Sequence, residues 1–291
     1  MLKPEALAAI LAGVLVLALP AVHLLPAAAH AQTTISAASP TAALADLLMM
    51  NDTFDVMAEE GRAHGADLEA GYFPGRGGAR WSEAVDAIYD PAAIRDRFLK
   101  AFETALGDDD AAIAAAETFF GSDLGQRILR LEIEARRVMI DKDATEAAEV
   151  AAEKLKAERA PIIRQIRKLI EAGDMVEMNV AGALTANLAF LQGMAETAPA
   201  AQAAPAEELM SEVWSQEASV RSSTTTWLYS YMALAYGPLS EAEMQSYIDY
   251  WATPEGKALN AALYAAFDAA FVPVSRDLGR ATGEALVGSD I

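Results

Sequence analysis

Apolar residues recur along most of the chain at helical rather than strand spacing. After Asp123, Leu124, Ile128, Leu131, Ala135 and Val138 follow at intervals of four, three, four and three, the seam of a helix packed on an antiparallel neighbour. The other positions of that segment are mostly charged. Arg130 with Glu134, Glu132 with Arg136, and Arg137 with Asp141 stand four apart, which predicts ion pairs on the outer faces of the helix. The alternation that marks a half-buried strand is nearly absent.

The pattern predicts an all-α fold of multi-helix bundles. Helices are expected over 41–69, 91–106, 109–121, 123–141, 144–159, 161–172, 174–194, 206–236, 240–251 and 254–287. Several starts are marked by a residue before a proline at the first helical position: Asp90-Pro91, Ala160-Pro161 and Thr253-Pro254. Gly71 to Gly78 reads as a long turn, and 195–205 as an Ala, Pro and Gln linker that packs no core of its own. Pro273 falls inside the last helix and is expected to kink or divide it.

An internal repeat runs through these elements. Phe119-Phe120-Gly121-Ser122-Asp123-Leu124-Gly125-Gln126 aligns without a gap on Tyr250-Trp251-Ala252-Thr253-Pro254-Glu255-Gly256-Lys257, each after an acidic helix start and before an apolar helix. A weaker match pairs Leu47 to Val56 with Leu169 to Met178, around Asp52 and Asp174. The chain therefore divides into a first module over 32–142 and a second over 143–291. In the shared segment Ser122 or Thr253 can cap the following helix, and Gly125 or Gly256 lets another backbone come close.

These residues resemble the domain of unknown function 2059 family, a group of exported bacterial helical proteins. The first copy is also similar to an alphaproteobacterial branch of it, through Trp81, Ile88-Tyr89-Asp90 and Leu131-Glu132-Ile133-Glu134-Ala135-Arg136-Arg137. The resemblance covers most of residues 41 to 290. It implies a helical fold and export and brings no catalytic residues. The second copy replaces the Glu and Arg cluster by Ala261 to Phe271, so a surface role for Glu132, Glu134, Arg136 and Arg137 would belong to the first copy alone.

Residues 1–31 read as a signal peptide. Lys3 precedes the apolar run Ala6 to Leu19, and Ala29-His30-Ala31 offers small residues at both cleavage-determining positions, which places the mature protein in a periplasm. The other reading is an uncleaved membrane anchor, the leader then being the chain's membrane contact. No later segment is expected to span a bilayer, since the apolar run Val180 to Met194 is short and carries Thr185, Asn187 and Gln192.

Composition narrows the chemistry. Hydrophobic residues make up 53% of the 291 positions, enough for a real core, and the formal charge is -20. With 22 Lys and Arg among 42 acids there is no basic stripe for nucleic acid. The absence of cysteine excludes disulfides and thiolate chemistry, and His64 is the single imidazole after the leader.

His64 has no local nucleophile motif beside it and reads as an exposed helical residue. Asp108-Asp109-Asp110 lacks the glycine and terminal glutamate of a calcium loop and reads as a helix cap. Gly75-Arg76-Gly77-Gly78 is too short for a phosphate loop. Met49, Met50, Met175 and Met178 could offer thioethers to copper, against the commoner use of Met as core filling. No cofactor or metal is called for.

The least ordinary stretch is Ser222 to Thr226 followed by Trp227, Tyr229 and Tyr231. Thr226, Trp227, Tyr231, Tyr250 and Trp251 form either a ligand cluster or a bent helix with packed aromatics. Three functions fit: a non-enzymatic module that binds another protein, an envelope protein being the expected partner, or stabilises an envelope assembly, a binder of a small apolar or sugar-like ligand between the modules, and a hydrolase using two carboxylates.

Overall fold

The computed structural model describes residues 39–198 and 204–287. The expected signal peptide lies outside them, as does the middle of the linker. The first series of helices is α1 (Pro40–Leu47), α2 (Met50–Tyr72), α3 (Gly78–Ile88), α4 (Pro91–Leu106), α5 (Asp110–Phe120) and α6 (Asp123–Val138). After α7 (Lys142–Ala157) comes a second series, α8 (Pro161–Ala172), α9 (Met175–Thr197), α10 (Ala206–Ser215), α11 (Glu217–Tyr236), α12 (Glu241–Ala252) and α13 (Pro254–Val287). The described residues contain no strand, and the fold is all-α.

The two series are laid out alike. α1 touches α2, α4 and α5, α2 also touches α3, α4 and α6, and α5 touches α6. Each of these pairings recurs as α8 with α9, α11 and α12, α9 with α10, α11 and α13, and α12 with α13. α2 and α9 each have 23 residues, and each follows a non-glycine residue in the left-handed region, Met49 (φ 55°) and Asp174 (φ 46°). In this register Met50 answers to Met175, so Met49 rather than Asp52 stands at the place of Asp174.

α13 joins the halves. It runs along α9, and it also packs on α4, α5 and α3 of the first series. Phe267 of α13 meets Phe54 of α2 and Phe98 of α4 with ring centroids 6.0 and 5.0 Å away. The approach of α13 to α9 depends on glycine: a Cβ on Gly193 would stand 2.0 Å from the Arg276 carbonyl oxygen, and one on Gly279 2.0 Å from that of Phe190. Buried residues occur all round α13, which is why its sequence shows a long apolar run rather than one stripe.

Several expectations need correction. The segment 41–69 is two helices, divided at Leu48 and Met49, and 206–236 divides at Gln216; neither break has a glycine or proline to announce it. Residues 78–88, left between a turn and the next cap, form α3, with Trp81 and Val85 buried one turn apart. Of the two outcomes expected at Pro273, a kink or a division, division does not occur, since α13 is continuous through it; the carbonyl that loses its partner belongs to Ala269, which is exposed and can meet water. Finally, α13 rather than Val180 to Met194 carries the apolar window, of mean hydropathy 1.3, that is long enough to cross a membrane; 61% of that window is buried within the fold.

Candidate functional site

The residues of α6 that face inward are Gly125, Ile128, Leu129, Ala135 and Arg136, with Glu132 among them at the same helical spacing. This differs from the apolar seam expected through Leu131 and Val138, since Leu131 is only half-buried and Val138 is 48% exposed. Two charged side chains that the hydrophobic pattern assigned to an outer face of the helix thus turn inward. They do not pair with each other on an outer face. Each turns inward to a different partner.

Glu132 Oε1 accepts hydrogen bonds from the hydroxyls of Tyr236 (2.7 Å) and Tyr247 (2.8 Å), and its backbone oxygen accepts one from Tyr231 at 3.2 Å. One residue of the first series is therefore held by α11 and α12 of the second. Burial pushes the Glu132 carboxyl above its ordinary range, opposed by the two tyrosine hydrogen bonds. Burial and the nearby Glu132 carboxyl push the hydroxyls of Tyr231, Tyr236 and Tyr247 well above theirs, so all three remain donors.

Arg136, one turn along, makes a two-pronged ion pair with Glu60 of α2, Nε to Oε1 and Nη2 to Oε2, both at 2.7 Å. Its side chain is 4% exposed, so the guanidinium is charged, enclosed and paired. Glu132, Arg136 and Tyr231 border a small cleft with Leu48, Met50, Thr53, Leu129 and Ile133. The cleft volume is about 20 Å³, room for about one water molecule. Such a site can exchange a proton with a bound water; it has no space for a substrate.

The two aromatic-turn-glycine segments meet on the far side of Tyr247. In the first, the Gly125 amide donates to Ser122 Oγ at 3.1 Å and Ser122 Oγ donates to the Phe119 carbonyl at 2.6 Å. In the second, Gly256 donates to Thr253 Oγ1 at 2.9 Å and Thr253 Oγ1 donates to the Tyr250 carbonyl at 2.7 Å. A Cβ at Gly125 or Gly256 would lie 2.3 Å from the Phe119 or Tyr250 oxygen, which explains the glycine in both. The aromatic pairs pack on each other: Phe119 stacks on Tyr250 at 4.5 Å and Phe120 lies 5.8 Å from Trp251, so matching positions touch.

The sequence-selected aromatic cluster therefore falls into two places. Trp227 stacks on Tyr231 at 4.8 Å beside the Glu132 network, whereas Tyr250 and Trp251 belong to the interface of the two aromatic-turn-glycine segments. Thr226 lends its carbonyl to Ser230 Oγ, and Thr225 and Ser223 bond back to carbonyls one turn earlier, so α11 continues through all the hydroxyl residues instead of breaking there. Of the expected surface charge cluster, Glu134 and Arg137 are exposed, with Arg137 4.0 Å from Glu59, while Arg136 is buried and Glu132 is half-buried with its carboxylate turned to the tyrosines. Asp141 caps α7 rather than pairing with Arg137.

His64 is buried, not exposed, and burial lowers its pKa to about 4. Asp109 caps α5 through the Ala112 amide. Met50 and Met175 are core residues, and Met49 and Met178 pack against the core. Tyr236, Tyr247 and Glu60 escaped the sequence reading. The available signal was that tyrosines within apolar helices need hydroxyl partners, for which a carboxylate at an inward helical position is suited. Compared with family models, curated proteins and solved structures, the chain matches none.

Proposed function

We propose that this chain is an exported, periplasmic helical protein that acts without catalysis, as a module binding another envelope protein. The observation that carries the reading is the use made of its buried chemistry. Glu132, Tyr231, Tyr236 and Tyr247 tie the two series together, and Arg136 with Glu60 ties α6 to α2, around a cleft of about 20 Å³. Groups that a hydrolase would expose to substrate are here engaged in holding helices, and the contact at 4.5 Å between Phe119 and Tyr250 fills the space where a ligand between the halves would sit.

The matched helix pairings and the two matching turns support descent from one duplicated module, and they favour the likeness to the domain of unknown function 2059 family. The leader residues around Ala29-His30-Ala31 support export. Expression of the full chain with a C-terminal tag in a bacterium tests both parts. The expected product begins at Gln32, is released with the periplasmic fraction and co-purifies with one envelope protein at fixed stoichiometry. Recovery in the cytoplasm with Met1 retained would end the export reading, and a cross-linked periplasmic sample containing the chain alone would end the partner reading.

A further inference from the structure

A second, larger concavity lies near the C-terminal end of α13. It has a volume of about 300 Å³ and is lined by Arg76 and Gly77 of the turn before α3, Arg80, Trp81 and Ala84 of α3, and Ala281, Glu284 and Ala285 of α13. The alanines leave space between the helices, and the edge of Trp81, a buried residue held by its indole N–H to the Gly65 carbonyl at 2.9 Å, lies at the floor. Arg76 and Arg80 are exposed on one wall and Glu284 on the other. Among the described residues none of the three has an ion-pair partner within 4.0 Å, although opposite charges line the same groove.

We propose that this groove binds a small zwitterion, an amino acid or dipeptide, with its carboxylate on Arg76 and Arg80 and its ammonium on Glu284. The unclosed gap between the opposed charges is what a molecule bearing both would bridge. Two guanidinium groups suit a carboxylate, which Arg can hold through paired N–H donors. Glu284 disfavours a multiply charged anion and provides the matching acceptor for an amine. The volume lies at the lower end of small-molecule sites, which fits a ligand of that size. The assignment is independent of the partner-binding role, since it uses neither the Glu132 network nor the interface of the two aromatic-turn-glycine segments.

The test is calorimetric titration of the full chain with dialanine, its N-acetylated form, its C-amidated form and inorganic phosphate. Dialanine is expected to bind, with C-amidation and the double variant Arg76→Ala, Arg80→Ala each weakening it by at least roughly tenfold. N-acetylation and Glu284→Gln should weaken it less, and Arg80→Lys should restore part of what Arg80→Ala loses. These residues are exposed, so circular dichroism should report unchanged helix content in each variant. Equal binding of dialanine and its amide, binding of phosphate in preference to dialanine, or no heat at millimolar dialanine would each overturn the proposal.

Discussion

At the scale of single residues, two buried ionisable groups bias stability in opposite directions with pH. His64 has a lowered folded pKa, about 4 against 6.5, because burial favours the neutral ring. Its contribution is complete above 6.5 and is lost as pH falls toward 4, where the unfolded chain binds a proton that the folded chain refuses; the full effect is roughly 3 kcal/mol. The parent should therefore lose stability relative to His64→Gln, read as urea midpoints, as pH drops across that window, and parallel curves would deny that the ring is buried neutral. Glu132 behaves in the reverse sense. Its raised folded pKa means that stability from this group is present below the ordinary 4.5 and is lost as pH rises through the folded value, when a charge must be held among tyrosines. Glu132→Gln keeps an acceptor for Tyr236 and Tyr247 and should be as stable as the parent or more so at neutral pH, the gain vanishing in acid. Glu132→Leu orphans two hydroxyls and should cost about 1–3 kcal/mol for each. If Gln and Leu destabilised alike, the hydrogen bonds would not be the source of the effect.

At the scale of elements, the two aromatic-turn-glycine segments show how a short sequence enforces a geometry. Their hydroxyl caps should be worth about 1 kcal/mol each, so Ser122→Ala and Thr253→Ala are expected to be mild. Gly125→Ala and Gly256→Ala force a carbon to within 2.3 Å of a carbonyl oxygen and should cost more, about 1–3 kcal/mol, measured by urea denaturation. Equal losses for cap and glycine variants would mean that the close approach relaxes freely. These turns were legible because their causes are local: a hydroxyl, a glycine and an acidic first turn identify a helix start wherever the chain goes. The breaks at Met49 and Gln216 were not legible, since packing rather than a breaker residue imposes them. The site was concealed for a related reason. A Glu and an Arg four apart look the same in sequence whether they pair in water or turn inward to separate partners, and Tyr236, Tyr247 and Glu60 reach them from distant positions that only the tertiary fold brings near.

At the scale of the whole molecule, the two series of helices share one hydrophobic core. The longest helix of the second series buries Phe267 against Phe54 and Phe98 of the first, α6 is anchored by hydroxyls from α11 and α12, and the aromatic-turn-glycine segments stack ring on ring. Removing either half would expose apolar surface that the other covers, so neither core should persist when the other opens. The chain is therefore expected to unfold as one unit. Hydrogen exchange followed by mass spectrometry should give α4 and α13 the same opening free energy, although they lie in different series. Phe120→Ala, a fully buried ring at the interface, should cost about 3–5 kcal/mol and lower protection in α4 and α13 together. If Phe120→Ala released α4 while α13 kept its full protection, the halves would be separate cooperative units, and the Glu132 network would be a surface latch between them instead of part of a shared core.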